Sequence, residues 1–112
     1  MQKITAIIRL ERFENVKTAL EKEGYPGLSL TRIEGHGRQK GLTHQFRGRA
    51  YTIEMVPKIK LEIVVKDSEV DTIVKTIMEA ARTGEVGDGK IFISPVTAVY
   101  RIRTGETGET AI

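Results

Sequence analysis

The segment TGEVGDGK at residues 83–90 places glycines at 84, 87 and 89 ahead of Lys90. Glycine adopts positive φ readily, so such a run turns backbone N–H groups toward an anion, and an adjacent ammonium neutralises it. Gly87, Asp88, Gly89 and Lys90 are therefore candidates for a phosphate cradle. The same residues would also serve as a tight helix-to-strand connection. A Walker A loop needs Ser or Thr after its lysine and then a helix. Here Ile91 and Phe92 follow in strand-like sequence, which disfavours a P-loop kinase or NTPase. Arg101 and Arg103 form a second basic pair. Two apart on a strand, they would share a face roughly 7 Å from each other. A polyphosphate spans that gap, each charge-assisted bond contributing about 1.5–3 kcal/mol. On an exposed strand the alternative is surface ion pairing of little worth.

The longest stretch without an obvious period is residues 35–58, GHGRQKGLTHQFRGRAYTIEMVPK, with glycines at 35, 37, 41 and 48 and Arg38, Lys40, Arg47 and Arg49. Compact domains rarely keep so long a connection unless it binds something or is disordered. Its basic side chains suit an anionic or polar partner. His36 and His44 sit in or beside it without a carboxylate pair or cysteine to complete a metal site or triad. Asn15, the one asparagine, falls in a helical segment, so the Arg/Asn pairing of acylphosphatase-like enzymes has no counterpart. The residues point away from an enzyme.

The elements that must position these residues are legible from hydrophobic period. Residues 3–10 alternate with Ile4, Ala6, Ile8 and Leu10 on one face, a central strand. Phe13, Val16 and Leu20 follow at helical spacing, and Gly24 stops that helix. Residues 28–33 read as a second strand entered through the Tyr25-Pro26-Gly27 turn. After the long loop, Ile59, Leu61 and Ile63 mark a third strand that follows Pro57. Ser68 and Asp71 resemble a capping box ahead of Val70, Ile73, Val74, Ile77, Met78 and Ala81, a clean amphipathic helix. Residues 91–93 and 96–102 read as two closing strands broken near Pro95. The polar tail at 104–112 reads as mobile. The order β-α-β-β-α-β predicts an α+β, ferredoxin-like sandwich over residues 1–112, with a long loop at about 37–55 and a short extra C-terminal strand.

The totals agree. A chain of 112 residues, 39% hydrophobic and 29% charged, fits one soluble domain with a modest core. The net charge of +3 permits anionic ligands without arguing for nucleic acid, since acids and bases are interspersed. Aromatics at 5% leave few stacking platforms for single-stranded RNA. There is no cysteine, no signal-peptide pattern and no transmembrane stretch, so a cytoplasmic location is expected.

GHGRQKG, RGRAY, TGEVGDGKIF and RIRTGE together resemble the nitrogen-regulatory PII signal-transduction family, end to end without gaps. The resemblance implies a homotrimer of ferredoxin-like protomers that binds ATP or ADP in clefts between subunits, with residues 37–55 as the effector arm. It assigns nucleotide contacts to Gly37, Arg38, Gln39, Gly87, Asp88, Gly89 and Lys90, and to Arg101 and Arg103 from a neighbouring chain. Ser29 and Val64 fall where the family lines its adenine pocket, with Glu62 nearby. With Mg²⁺ and ATP, 2-oxoglutarate is implied to join the metal alongside the Gln39 side chain. Lys40, Gly41, Gly87 and Lys58 complete that effector site, with Lys58 on the distal carboxylate. An amide oxygen beside phosphates and a keto acid is a reasonable octahedral set for Mg²⁺. In this family the arginine matching Arg47 plugs ammonium channels, other members bind enzymes such as glutamine synthetase, and the tyrosine matching Tyr51 is uridylylated in some.

The arm departs from the family pattern. Phe46 stands where tyrosine is usual and Arg49 where a small or phosphorylated residue is found, and Leu42, His44 and Gln45 differ as well. Phosphorylation at position 49 is excluded, and the partner-facing surface looks specialised. The competing readings are a ferredoxin-fold RNA-binding domain using the basic loop, which predicts strong salt dependence, and a small phosphohydrolase on the same fold.

Overall fold

The structure is a computed structural model that describes residues 1–25, 27–37, 43–46, 49–52 and 54–112. Its sheet contains β1 (Gln2–Arg9), β2 (Ser29–Gly37), β5 (Glu54–Val65) and β6 (Lys90–Pro95) in the order β2-β5-β1-β6, every neighbour antiparallel. Helices α1 (Phe13–Lys22) and α2 (Val70–Ala81) complete the ferredoxin-like α+β fold. Strands β3 (Thr43–Phe46) and β4 (Arg49–Thr52) pair as a separate hairpin within the long connection.

Alternation decides which face is buried. Ile4, Ala6 and Ile8 of β1 and Ile59, Leu61, Ile63 and Val65 of β5 form the core with Val16 and Leu20 of α1 and Ile73, Ile77 and Ala81 of α2. The opposite face carries Lys3, Thr5, Ile7, Lys60, Glu62, Val64 and Phe92, and its residues are half-buried or exposed. There Lys3 reaches Glu62 at 3.2 Å and Lys60 reaches it at 3.6 Å. The Lys3 bond, foremost, lowers the Glu62 pKa against its ordinary value.

Four expectations change. The second and third strands run on into the stretch read as loop: β2 continues to Gly37 and β5 begins at Glu54, joined from Glu34↔Pro57 to Gly37↔Glu54. Pro57 thus lies inside a strand. It is tolerated because the β1 ladder ends at Arg9↔Lys58, leaving β5 one neighbour at Pro57. The start of α2 is not capped by Ser68. A 3-10 turn at Asp67–Glu69 precedes it, and the backbone N–H of Lys66 donates to Glu69 at 3.3 Å. Residues 96–102 form no regular strand; the extra C-terminal strand reduces to one bridge, Tyr100↔Thr107. The tail, read as mobile, folds onto that bridge and ends in a 3-10 turn at Gly108–Ala111.

Candidate functional site

The connection from α2 to β6 is built on Asp88. One carboxylate oxygen accepts the backbone N–H groups of Thr83 at 2.9 Å and Gly84 at 2.8 Å. The other accepts the Thr83 hydroxyl and, at 2.9 Å, Nε of Arg9. Burial works against its charged form, but the bonds from Thr83 and Arg9 win and hold the carboxyl well below the usual carboxylate range. Gly89 has φ 100°, and a Cβ there would overlap the Ile7 carbonyl oxygen, so the turn lies against β1 only because this residue has no side chain.

Arg9 and Lys58 are partners at the end of the β1–β5 ladder. Arg9 also donates Nη2 to the Val86 carbonyl at 2.7 Å. Lys58 is 6% exposed, the one buried charged side chain among the described residues. Its Nζ donates to the Gly87 carbonyl. Burial first, and the Arg9 charge second, push its pKa down. Lys90, opposite Ile7, opens β6 at the same corner. Arg9, Lys58 and Lys90 thus stand near Asp88 and Glu11, an excess of positive charge around a glycine-rich turn. A cavity of about 500 Å³ runs from there between α2 and β6, with Arg82, Gly89 and Lys90 as well as Val74, Met78 and Ile91 on its lining. Cationic groups beside apolar walls suit a ligand with an anionic end and a flat or apolar remainder.

The other anticipated residues lie elsewhere. Ser29 pairs with Glu62, and Val64 follows on the same face, opposite Lys3. Val64 lies six positions along β5 from Lys58, roughly 20 Å of strand. Arg101 and Arg103 are not side by side on a strand. The chain leaves β6 at Pro95, opposite Gln2, and Arg103 lies in an exposed turn. Arg101 points back into its own tail, its Nη1 2.8 Å from Glu106 and its Nη2 3.0 Å from the Thr110 carbonyl. Gly37 closes the β2–β5 ribbon opposite Glu54, and Tyr51 pairs with His44 in the hairpin. Arg38, Gln39, Lys40, Gly41 and Arg47 lie outside the described residues. Among the described residues no group of three or more His, Cys, Asp or Glu could hold a metal, and no helix is long and apolar enough to cross a membrane. Sequence reasoning missed Arg9 and Glu106. Arg9 looks like an ordinary strand-end cation until register sets it beside Lys58, and Glu106 looks like one acid of a polar tail.

Comparison with known proteins places this geometry. The sequence model of the family described as "Nitrogen regulatory protein P-II" matches residues 1–106. The "Nitrogen regulatory protein P-II 2" of Methanothermobacter thermautotrophicus is 55% identical over the whole chain and 97% of its own length. The "Nitrogen regulatory protein P-II" of Cereibacter sphaeroides is 52% identical over all of both chains. Among solved structures, Arabidopsis thaliana PII bound to citrate superposes with a TM-score of 0.82 at 42% identity, covering 99% of this chain and 91% of that one. A ferredoxin-like sheet, a glycine-rich corner held by Asp88 and this end-to-end similarity agree: the chain belongs to the nitrogen regulatory protein P-II family.

Proposed function

We propose that this chain is a non-enzymatic, cytoplasmic sensor that binds ATP or ADP and, with Mg²⁺ and ATP, 2-oxoglutarate. Residues 37–55 would then regulate a nitrogen-metabolism partner such as an ammonium transporter or glutamine synthetase. The observation that carries the reading is the corner where buried Lys58, Arg9, Lys90 and the 83–89 turn meet at the root of the β2–β5 ribbon. The relative from Arabidopsis thaliana binds citrate, a tricarboxylate, which supports a carboxylate ligand here.

The two groups of proposed nucleotide residues lie at different levels of one sheet. Gly87, Asp88, Gly89 and Lys90 sit at the Ile7 end, Ser29 lies level with Thr5 through Glu62, and Val64 and the strand exit toward Arg101 and Arg103 lie toward the Gln2 end. Lys90 and Val64 are four residues apart in register, roughly 13 Å of strand. Because the family resemblance gives Arg101 and Arg103 to a neighbouring chain, a complete site takes one group from each of two chains. A homotrimer meets that need. Closed symmetry repeats one interface, and the sheet face without helices offers Ile7, Val64 and Phe92 for burial.

Binding at this corner acts on the arm through the ribbon. Lys58 is the first β5 residue paired with β1, and its partner on β2 is Ile33, four residues before Gly37. A dicarboxylate drawing on Lys58 therefore competes with the Gly87 carbonyl at the arm's root. The corner's three cations outweigh its two carboxylates, so it fits an anion carrying its own metal better than a bare divalent ion. Mg²⁺ takes phosphate oxygens with only one or two protein ligands, so the Gln39 amide oxygen fits as the ligand from this chain; the ion would supply charge neutralisation and bridging when bound. Ligand binding that favours one arm shape over another is then read by the partner, through Arg47 in the arm and subject to any modification of Tyr51.

Titration calorimetry with ATP, then with 2-oxoglutarate in the presence of Mg²⁺ and ATP, tests this. The expected result is saturable binding in both steps. Gln39→Ala should abolish the second while largely sparing ADP. No nucleotide binding, or effector binding unchanged in that variant, overturns the reading.

A further inference from the structure

We infer that the C-terminal tail is an internal competitor for the nucleotide's phosphates, with Glu106 occupying Arg101 until a nucleotide displaces it. The inference rests on the proposed role of Arg101 in the nucleotide site. Four bonds converge on this arginine. Its Nη1 meets the Glu106 carboxylate at 2.8 Å and its Nη2 the Thr110 carbonyl at 3.0 Å. Its backbone N–H donates to the Glu106 carbonyl at 2.8 Å, and its carbonyl accepts from Gly105 at 2.8 Å. Gly108 donates to the Val99 carbonyl at 3.0 Å beside the Tyr100↔Thr107 bridge. Arg101 is thus the post around which residues 99–110 are wound, and no apolar residue of the tail belongs to the core.

A guanidinium has a limited number of donors in one plane. The Nη1–Nη2 edge that would fork onto a phosphate is here turned to Glu106 and Thr110. A phosphate oxygen taking that edge must break both contacts, and it also gains charge complementarity that Glu106 now cancels. Glu106 and Arg101 are each about two-fifths or one-third exposed, so the pair is modest in strength. That is what a displaceable competitor requires, since a strong buried pair would abolish binding. Nucleotide and tail order are then linked. Each opposes the other by the same factor.

Two measurements on the full-length protein test this. Glu106→Gln keeps the side chain's size and removes its charge, so ATP binding by calorimetry should tighten about two- to fivefold. Hydrogen exchange at the Gly105 and Gly108 amides should quicken when ATP is added to the unsubstituted protein, because the bonds they donate belong to the wound tail. Wild-type binding with the variant unchanged or weaker, or with those amides protected by ATP, overturns the competition and leaves the nucleotide site standing. Failure of the wild type to bind ATP removes both.

Discussion

Asp88 spends both carboxylate oxygens on neighbours that would otherwise part: Thr83 and Gly84 at the start of the turn, and Arg9 at the end of β1. Through Arg9 and Val86 it also fixes the carbonyl next in line, that of Gly87, which Lys58 touches. Asp88→Asn keeps the shape but loses charge-assisted acceptance, and the cost should be roughly 1–3 kcal/mol in denaturant unfolding. The pH dependence has a definite sign. The folded-state pKa lies below the ordinary 3.8, so on acidification the unfolded chain takes up this proton first. The carboxylate's contribution is full above about pH 4 and drains away as pH falls toward the folded value. Unfolding measured from pH 6 to 3 should show a shallower acid loss in Asp88→Asn than in the wild type. Equal slopes would mean that the acid sensitivity lies in other carboxylates. At this scale the sequence is half legible. Glycines before a lysine announce a turn able to face an anion, but the same four letters leave open whether the aspartate points at a ligand or into the turn. Only register, which sets Arg9 beside Lys58 and Gly89 against Ile7, settles it.

Among the elements, those with a strong period were readable. In α2, Ile73, Ile77 and Ala81 are spaced to point one way, and they are the residues that the sheet covers. Ile77 is 1% exposed, so Ile77→Ala should cost about 2–5 kcal/mol, and thermal unfolding would report it as a large drop in Tm. A drop of a few tenths of a kcal/mol would place α2 outside the cooperative core. Elements whose order comes from pairing rather than burial were not readable. Residues 34–37 and 54–57 hold glycines and a proline, poor strand formers, yet they continue β2 and β5 because a ladder already in register extends at little further entropic cost. The tail shows the opposite error. Residues 96–102 carry β-branched and aromatic types and read as a strand, but they leave the sheet at Pro95, and Arg101 winds them into a turn with Glu106. Side-chain hydrogen bonds of that kind leave no period in the sequence.

For the molecule as a whole, the decisive question is whether the two ends of one sheet serve one site or two. Lys90 stands at the Ile7 end of β1, and the chain leaves for Arg101 from the Gln2 end. If each nucleotide lies between Lys90 of one protomer and Arg101 of the next, neither Lys90→Ala nor Arg101→Ala alone leaves a complete site in its own homotrimer. Refolding the two variants together changes the count. Wherever an Arg101→Ala chain meets a Lys90→Ala neighbour on the correct side, its intact Lys90 faces that neighbour's intact Arg101. Random equimolar mixing in a ring of three restores about one site in four, because closed symmetry presents every interface with the same two faces. Calorimetry of the mixture should therefore recover wild-type affinity at about a quarter of wild-type stoichiometry, with each variant alone binding weakly. A site contained in one protomer predicts no recovery at any ratio, since every chain in the mixture lacks one of the two cations. The same titration checks assembly. Recovery that needs co-refolding, and is absent when folded variants are merely combined, requires that protomers assemble into an oligomer whose interface persists without exchange over the measurement.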